Sequence, residues 1–570
     1  MRIEKPKYIN IIFAVVFMMI FSFNIWKTHY GFPSPDETFY ISMVQRFWFG
    51  DIPVIHEWNP AQFPAILMIP LYSAFMFFSG GSTDGVILYF RFLYVFLTAV
   101  GCVFIYSRTR QYGIAGLLVS FIYMLYTFGN IQTIHYDTIG LFCMVMFSLF
   151  IVIPARNMKM NDIAAGVFFA IAVLCTPYLA IAFFAVSVYM IVMILCKKND
   201  RRQLVIRWIY VTAGCVISAV FVCGFLLTRS DIANYIRHFP LLFSSTDTTY
   251  SEAGGILYES AKTLYYGWLF SDSSRIYLPI HLVFIITIVL GRQKNRIVRR
   301  YAFPFLLGSH VILMLTYWKP GRDFSMLTFT LLGFLVVLFD RQYNREGFWV
   351  WVIGLIYGWM ADLTSDTLLG VLSSACTVCA LGAVIMSCDY IQRIEVPDLQ
   401  KAAKTVFAIL ITVFISMECI DKLNYTYQDI SPLKMDAVMD RGPAGGIHTR
   451  SDYATAYNLI IDDLDSIDMH LNGENVLLYS NRSWIYLYMN GRCASYSTWF
   501  KPFENHFVDI LPEYFQLHPE KIPAAVYMPK NEVIPYVMQK NQLGNVEDLK
   551  KITESFGLKL EESKYGYYIK

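Results

Sequence analysis

The chain has 570 residues, of which 56% are hydrophobic and only 16% charged. A soluble protein would carry nearer a quarter charged residues, so this composition excludes an ordinary soluble enzyme and points to a membrane. The net charge of +3 is too small to imply a nucleic-acid partner, and what matters instead is where the basic residues lie.

The N-terminus is basic, with Arg2, Lys5 and Lys7 ahead of a long apolar run. Phe21 to Tyr30 offers no small-residue cleavage site, so the run reads as a retained helix and not as a signal peptide. A spanning helix needs roughly 20 apolar residues. Thirteen segments qualify in chain order: 8–26, 86–107, 113–130, 139–154, 161–177, 179–196, 204–227, 276–291, 301–317, 324–340, 347–361, 368–387 and 402–419. Eleven cysteines form no disulfide framework, since most lie inside apolar runs. Cys376-x-x-Cys379 has redox or zinc spacing but falls mid-segment with no second pair, which points to packing.

Positive-inside counting sets the orientation. With the N-terminus in the cytoplasm, every second loop should be basic. Those loops carry Arg108/Arg110, Arg156/Lys159, Lys197/Lys198/Arg201/Arg202, Arg292 through Arg300, Arg341/Arg345, and Arg393/Lys401/Lys404. Residues 64–79 are apolar but hold two prolines and run to about 16 residues, short of a span. Counting them would invert every later loop, so they read as a juxtamembrane or re-entrant helix. Three pieces then fall outside: loop 27–85, loop 228–275 and the tail from about 420. The domain plan is a membrane unit over 1–419 and an extracytoplasmic unit over 420–570. The tail holds strand-like runs at 475–479 and 524–528 and a helical stretch at 451–466, which predicts a small α/β domain. No internal repeat is visible.

Three acidic features converge on the outer face. Asp36-Glu37 follows the first apolar segment, His56-Glu57 precedes Asn59-Pro60, and Asp137 lies in His135-Tyr136-Asp137-Thr138. Asp36 also fits a helix start behind Pro35, Asp137 fits an N-cap, and Glu57 fits a solvated surface acid. Their shared side favours function, because ionisable groups at a membrane default to functional hypotheses. The outer cations are Arg237 and His238, Arg275, and Lys319/Arg322 in Trp318-Lys319-Pro320-Gly321-Arg322.

An Asp-Glu pair after helix one, a long first outer loop and an aromatic-Asp motif in the second outer loop resemble the GT-C superfamily of membrane glycosyltransferases. The helix count and the outer α/β tail are similar to its branch of protein mannosyltransferases and lipid A aminoarabinose transferases. The resemblance implies the GT-C fold and inverting transfer of a sugar from a polyprenyl-phosphate donor to a glycan, glycolipid or protein acceptor outside the cytoplasm. It implies Asp36 as catalytic base, with Glu37 orienting the acceptor or holding a cation. Asp137, His135, Tyr136, Glu57 and His56 would bind substrate, and Arg322, Lys319, Arg275 and Arg237 would receive the phosphate. A divalent metal (Mg, Mn or Zn) would rest on Asp36, Asp137 and Glu57. Two departures stand out. Ile139 occupies the position where oligosaccharyltransferases carry a further acid, and the basic-then-double-proline run of aminoarabinose transferases is missing. Short basic loops without appended modules fit a bacterial cell membrane. The competing classes are a transporter or flippase for lipid-linked saccharides, which would favour inverted repeats and midplane acids, and a non-catalytic membrane scaffold.

Overall fold

The computed structural model describes residues 7–33, 35–154, 157–195, 202–243, 274–293, 295–317, 325–362, 369–530, 533, 544–555 and 557–570. It is 72% helical. The helices of the first three-quarters of the chain are α1 (Lys7–Thr28), α2 (Pro35–Trp48), α3 (Phe63–Phe78), α4 (Val86–Thr109), α5 (Ile114–Leu125), α6 (Tyr136–Val152), α7 (Met158–Cys175) and α8 (Leu179–Leu195). They continue as α9 (Arg202–Leu227), α10 (Ile232–His238), α11 (Ser274–Gly291), α12 (Arg296–Tyr317), α13 (Ser325–Phe339), α14 (Arg345–Asp362), α15 (Leu369–Gln392) and α16 (Pro397–Asn424). A helix occupies each of the thirteen apolar segments read from the sequence. Among the described residues, seven helical stretches are long and apolar enough to cross a membrane. The chain is a helical membrane protein with a small C-terminal sheet region.

Glycines set the closest helix crossings. A Cβ on Gly166 of α7 would overlap the Val211 carbonyl of α9, and one on Gly214 of α9 would overlap the Ile163 carbonyl. Backbones can approach this closely only where side chains are absent, the usual device of apolar helix pairs. Gly354 of α14 meets Cys379 of α15 in the same way. Cys376 and Cys379 are both buried there and unpaired, so they pack as the sequence suggested.

Hydrogen bonds sort the helix ends onto two ends of the bundle. At one end, Tyr106 at the close of α4 donates to Asn10 near the start of α1 at 2.6 Å. Arg108 reaches the Ile153 carbonyl past α6 at 2.9 Å, Arg207 of α9 holds Asp162 of α7 at 2.9 Å, and Arg393 holds Asp340. At the other end, the close of α1, the start of α4, the turn between α5 and α6 and the close of α16 come together. Lys27 donates to the Tyr425 carbonyl at 2.6 Å, and Asn130 donates to Asp421 at 2.6 Å. Arg108 and Arg393, two of the cations that marked the alternate loops, therefore lie at the first end, and the loop before Asp137 at the second.

The segment at 64–79 is α3. With the preceding turn, Pro60–Phe78 has the length and apolarity of a span. Its connections place it along one end of the bundle instead. The Gly31 N–H, just past α1, donates to the His448 carbonyl at 2.9 Å, and the Gly85 N–H, just before α4, donates to the Gly442 carbonyl at 2.9 Å. The chain thus leaves α1 and enters α4 against the same few residues of the tail. The residues flanking α3 touch that tail as well: the Trp58 N–H donates to the Tyr496 carbonyl at 2.7 Å, and Thr83 donates to the Leu487 carbonyl at 2.9 Å.

Beyond α16, β1 (Ala437–Met439) and β2 (Ile447–Thr449) form an antiparallel pair. They are followed by α17 (Ser451–Ser466), at the predicted position. A five-stranded sheet has the order β4-β3-β5-β7-β6. Its strands are β3 (Asn475–Leu478), β4 (Arg492–Cys493), β5 (Ala525–Pro529), β6 (Glu561–Glu562) and β7 (Gly566–Ile569). β3 is parallel to both β4 and β5, while β7 runs antiparallel to its neighbours. The β5 residues are buried throughout, which explains the apolar run without alternation.

Candidate functional site

Asp36 and Glu37 occupy the first turn of α2 behind Pro35. The orphan N–H groups of a helix start favour negative charge, so the sequence puts both carboxylates where the backbone supports them. The helix then buries one and leaves the other half-buried. Glu37 is 4% exposed and receives Arg91 of α4 in a two-pronged pair, Nε to Oε1 and Nη2 to Oε2, both at 2.7 Å. The same guanidinium donates to the carbonyls of Thr28 and Gly31 at 3.0 Å and Tyr30 at 3.4 Å. All five of its N–H groups are used. The pair clamps α2 to α4, a structural use of Glu37 that stands beside the expected roles of orienting an acceptor or holding a cation.

Asp36 turns instead towards the starts of the neighbouring elements. It hydrogen-bonds with Tyr427, past the end of α16, and its charge reaches Asp137. The α2 and α6 starts face each other through Tyr40 and Tyr136, whose rings lie 6.2 Å apart. The N-cap of α6 is His135, not Asp137. His135 Nδ1 accepts the Asp137 N–H at 3.1 Å, and Thr138 Oγ1 accepts the His135 N–H at 2.9 Å, a reciprocal capping box. The Asp137 carboxyl is therefore released from capping. Its side chain keeps 20% of its surface exposed and lines a small cavity with His135, Thr138, Tyr94 and Tyr126. Asp137 precedes the predicted span 139–154. Burial pushes its carboxyl up to about 7, the Asp36 charge adds to the rise, and the Tyr136 side chain opposes it. A carboxyl that titrates near neutrality can serve as acid or base.

A second, small cavity adjoins the first, with Ile131 in the wall of both. Lys27, Glu37, Arg91, Gln132 and Tyr427 line it. Sequence reasoning passed over Lys27, Arg91, Gln132 and Tyr427. A signal existed for two of them: Lys27 and Arg91 are cations at the end of the bundle where the positive-inside pattern disfavours them.

Glu57 and His56 belong to a separate cluster, at the junction of the first loop with the sheet region. Arg46 of α2 is fully buried and donates to Asp51 Oδ2 and Glu57 Oε2, both at 2.7 Å. Lys521 reaches Asp51 at 2.6 Å. The remaining Glu57 capacity goes to the Asn59 N–H at 3.2 Å and the Thr498 N–H at 3.1 Å. The expected metal set of Asp36, Asp137 and Glu57 therefore loses Glu57, whose oxygens are already committed. Burial pushes the Glu57 carboxyl up while Arg46 holds it down. At Asp51 burial also pushes up, but Lys521 and Arg46 prevail and bring the carboxyl down to about 2.

His56, His518 and Glu520 could also hold a metal, since their ligand atoms lie within 4.8 Å of one another. The tautomer argues for hydrogen bonding instead. The Ile52 N–H donates to His56 Nδ1 at 3.0 Å, which keeps the proton of the neutral ring on Nε2, facing Glu520 at 3.4 Å. Burial brings His56 down to about 4.

Of the expected phosphate-binding cations, Arg237 is exposed on α10 while the adjacent His238 is buried against His518, with ring centroids 5.1 Å apart. The side chain of Arg275 and all of Lys319 and Arg322 lie outside the described residues, as does most of loop 228–275. The chain matches no family model and no curated protein.

Proposed function

We propose that this chain is a membrane glycosyltransferase of the GT-C type. It moves a sugar from a polyprenyl-phosphate donor to an acceptor hydroxyl of a glycan, glycolipid or protein. The observation that carries this reading is the meeting of Asp36 and Asp137 at the starts of α2 and α6, beside two adjoining cavities, while Glu37 and Glu57 are consumed by arginines. Asp36 takes the proton from the acceptor hydroxyl as that oxygen attacks the anomeric carbon. The sugar inverts, and the polyprenyl phosphate leaves with the bonding electrons. Tyr427 orients Asp36. Asp137, with its raised pKa, holds a substrate hydroxyl near neutral pH. Two carboxylates are what a Mg²⁺ or Mn²⁺ ion commonly takes from protein, the rest coming from water and phosphate. Such an ion on Asp36 and Asp137 would supply positive charge to the departing phosphate.

In this reading the basic end of the bundle faces the cytoplasm, as the positive-inside rule requires. The end carrying Asp36 and the C-terminal sheet unit over 420–570 face outward, in a bacterial cell membrane. The test is Asp36→Asn in native membranes supplied with a radiolabelled polyprenyl-phosphate sugar. Transfer falls by about 10²–10⁴-fold while the protein still inserts and melts as before. Transfer at the wild-type rate would overturn the assignment and favour the transporter or scaffold reading.

A further inference from the structure

Past the close of α9 the chain turns through Ser230 and Asp231 into α10, where the Asp231 side chain caps the helix by accepting the Asn234 N–H at 2.9 Å. One side of α10 is packed. Tyr235 donates through its hydroxyl to the Leu226 carbonyl at 2.8 Å, which folds α10 back onto the end of α9. His238 is buried against His518. Just beyond α10, Leu242 is buried in one apolar cluster with Tyr479, Phe500, Tyr514 and Phe515 of the sheet region.

A second side is apolar and uncovered. Ile232 is 64% exposed, Ile236 68% and Phe239, next past the helix end, 52%. Their spacing of four and then three residues aligns them in one stripe. Asn234 and Arg237, both exposed, lie on a third, polar side. Single exposed apolar residues are ordinary, but an aligned stripe calls for a partner. Its place in the chain names the partner. α9 is long and apolar enough to cross a membrane, and its outer surface exposes Val220, Phe221 and Leu227. The Tyr235–Leu226 bond sets the stripe of α10 where that lipid-facing surface ends. α10 is far too short to span a bilayer, and apolar and polar sides on one helix suit the plane of an interface.

We infer that α10 lies in the membrane surface at the end of the bundle that carries the sheet unit. Ile232, Ile236 and Phe239 enter the boundary between acyl chains and headgroups, and Asn234 and Arg237 face water. The partner is the lipid leaflet. The same short segment holds the sheet unit through His238 and Leu242, so the leaflet fixes the height of that unit above the bilayer. This seat needs no sugar transfer, and Asp36→Asn should keep it.

The experiment places a photoreactive benzophenone amino acid at Ile232, Ile236, Asn234 or Phe221, one position per full-length chain, in phosphatidylcholine nanodiscs. Adducts are read by mass spectrometry after illumination. Ile232 and Ile236 should form lipid adducts as Phe221 does on α9, and Asn234 should not. With the probe at Ile236, Ile232→Asp should cut the lipid yield by roughly tenfold, because a charge in the stripe opposes burial in the interface, while the yield at Phe221 stays the same. Adducts from Ile236 to residues 244–273 or to a second copy of the chain would overturn the assignment. So would a lipid yield at Ile232 and Ile236 no higher than at Asn234, or one that Ile232→Asp leaves unchanged.

Discussion

Two clusters of charge lie at the same end of the bundle, and they are built to opposite specifications. Around Arg46 the buried acids are answered: Asp51 by Arg46 and Lys521, and Glu57 by Arg46, Asn59 and Thr498. Around Asp36 the answers are incomplete. Asp137 is freed from capping by His135, its pKa is raised by burial and a like charge, and the Gln132 amide has no partner among the described residues. Buried polar networks that are fully satisfied rigidify a fold. A carboxyl whose pKa is raised beside a cavity is a candidate for function. The acid count alone does not separate the two; the state of the partners does.

The largest blow to the comparison comes from the satisfied cluster. Arg46→Leu leaves Asp51 and Glu57 without their shared cation and should cost about 3–5 kcal/mol, read as a drop in melting temperature and proteolysis between the first loop and the sheet region. A stable Arg46→Leu protein would erase the distinction. The next test is pH. His56 sits below its ordinary value, so the stability it adds is present above about 6.5 and is lost as the pH falls towards 4; at roughly 1.4 kcal/mol per unit this is about 3 kcal/mol. Asp51 adds a further loss as the pH falls from about 4 to 2. Asp137 has the opposite sign: with its pKa raised, its contribution is present below about 4 and lost as the pH rises through 7. Corrected for the intrinsic pH dependence of amide exchange, protection should therefore fall between pH 7 and 4 in peptides around His56 and Tyr496 and rise around Asp137. Parallel trends in both regions would refute the division. The smallest effect is expected at Arg237→Ala. This exposed arginine should change melting temperature and transfer hardly at all, within about 0.5 kcal/mol.

Much of this was legible in the chain. The apolar segments became helices because their composition leaves few alternatives. The runs at 475–479 and 524–528 became β3 and β5, and 451–466 became α17. Asp36 and Asp137 were found together because the charge rule and the local motifs agreed. What stayed hidden was pairing across sequence distance. Glu37 and Arg91 are 54 residues apart, and Glu57 meets Thr498 from 441 residues away, so nothing local announces either. The cap of α6 was misassigned for a related reason. Asp is the commoner capping residue, yet His135 sits at the position where its ring nitrogen reaches back to the Asp137 amide.

The backbone bonds that join Gly31 to His448 and Gly85 to Gly442 carry a consequence for how the molecule moves. Two long helices, α1 and α4, are tied at their ends to one short stretch of the tail, so a tilt between them must pull on β2. The sheet unit then behaves as a crosspiece fixed to two uprights. Severing the chain after Asn424 would strip the Gly31 and Gly85 amides of their acceptors and free the uprights to splay. The C-terminal unit and the first loop should be inherited, swapped or deleted only as one piece.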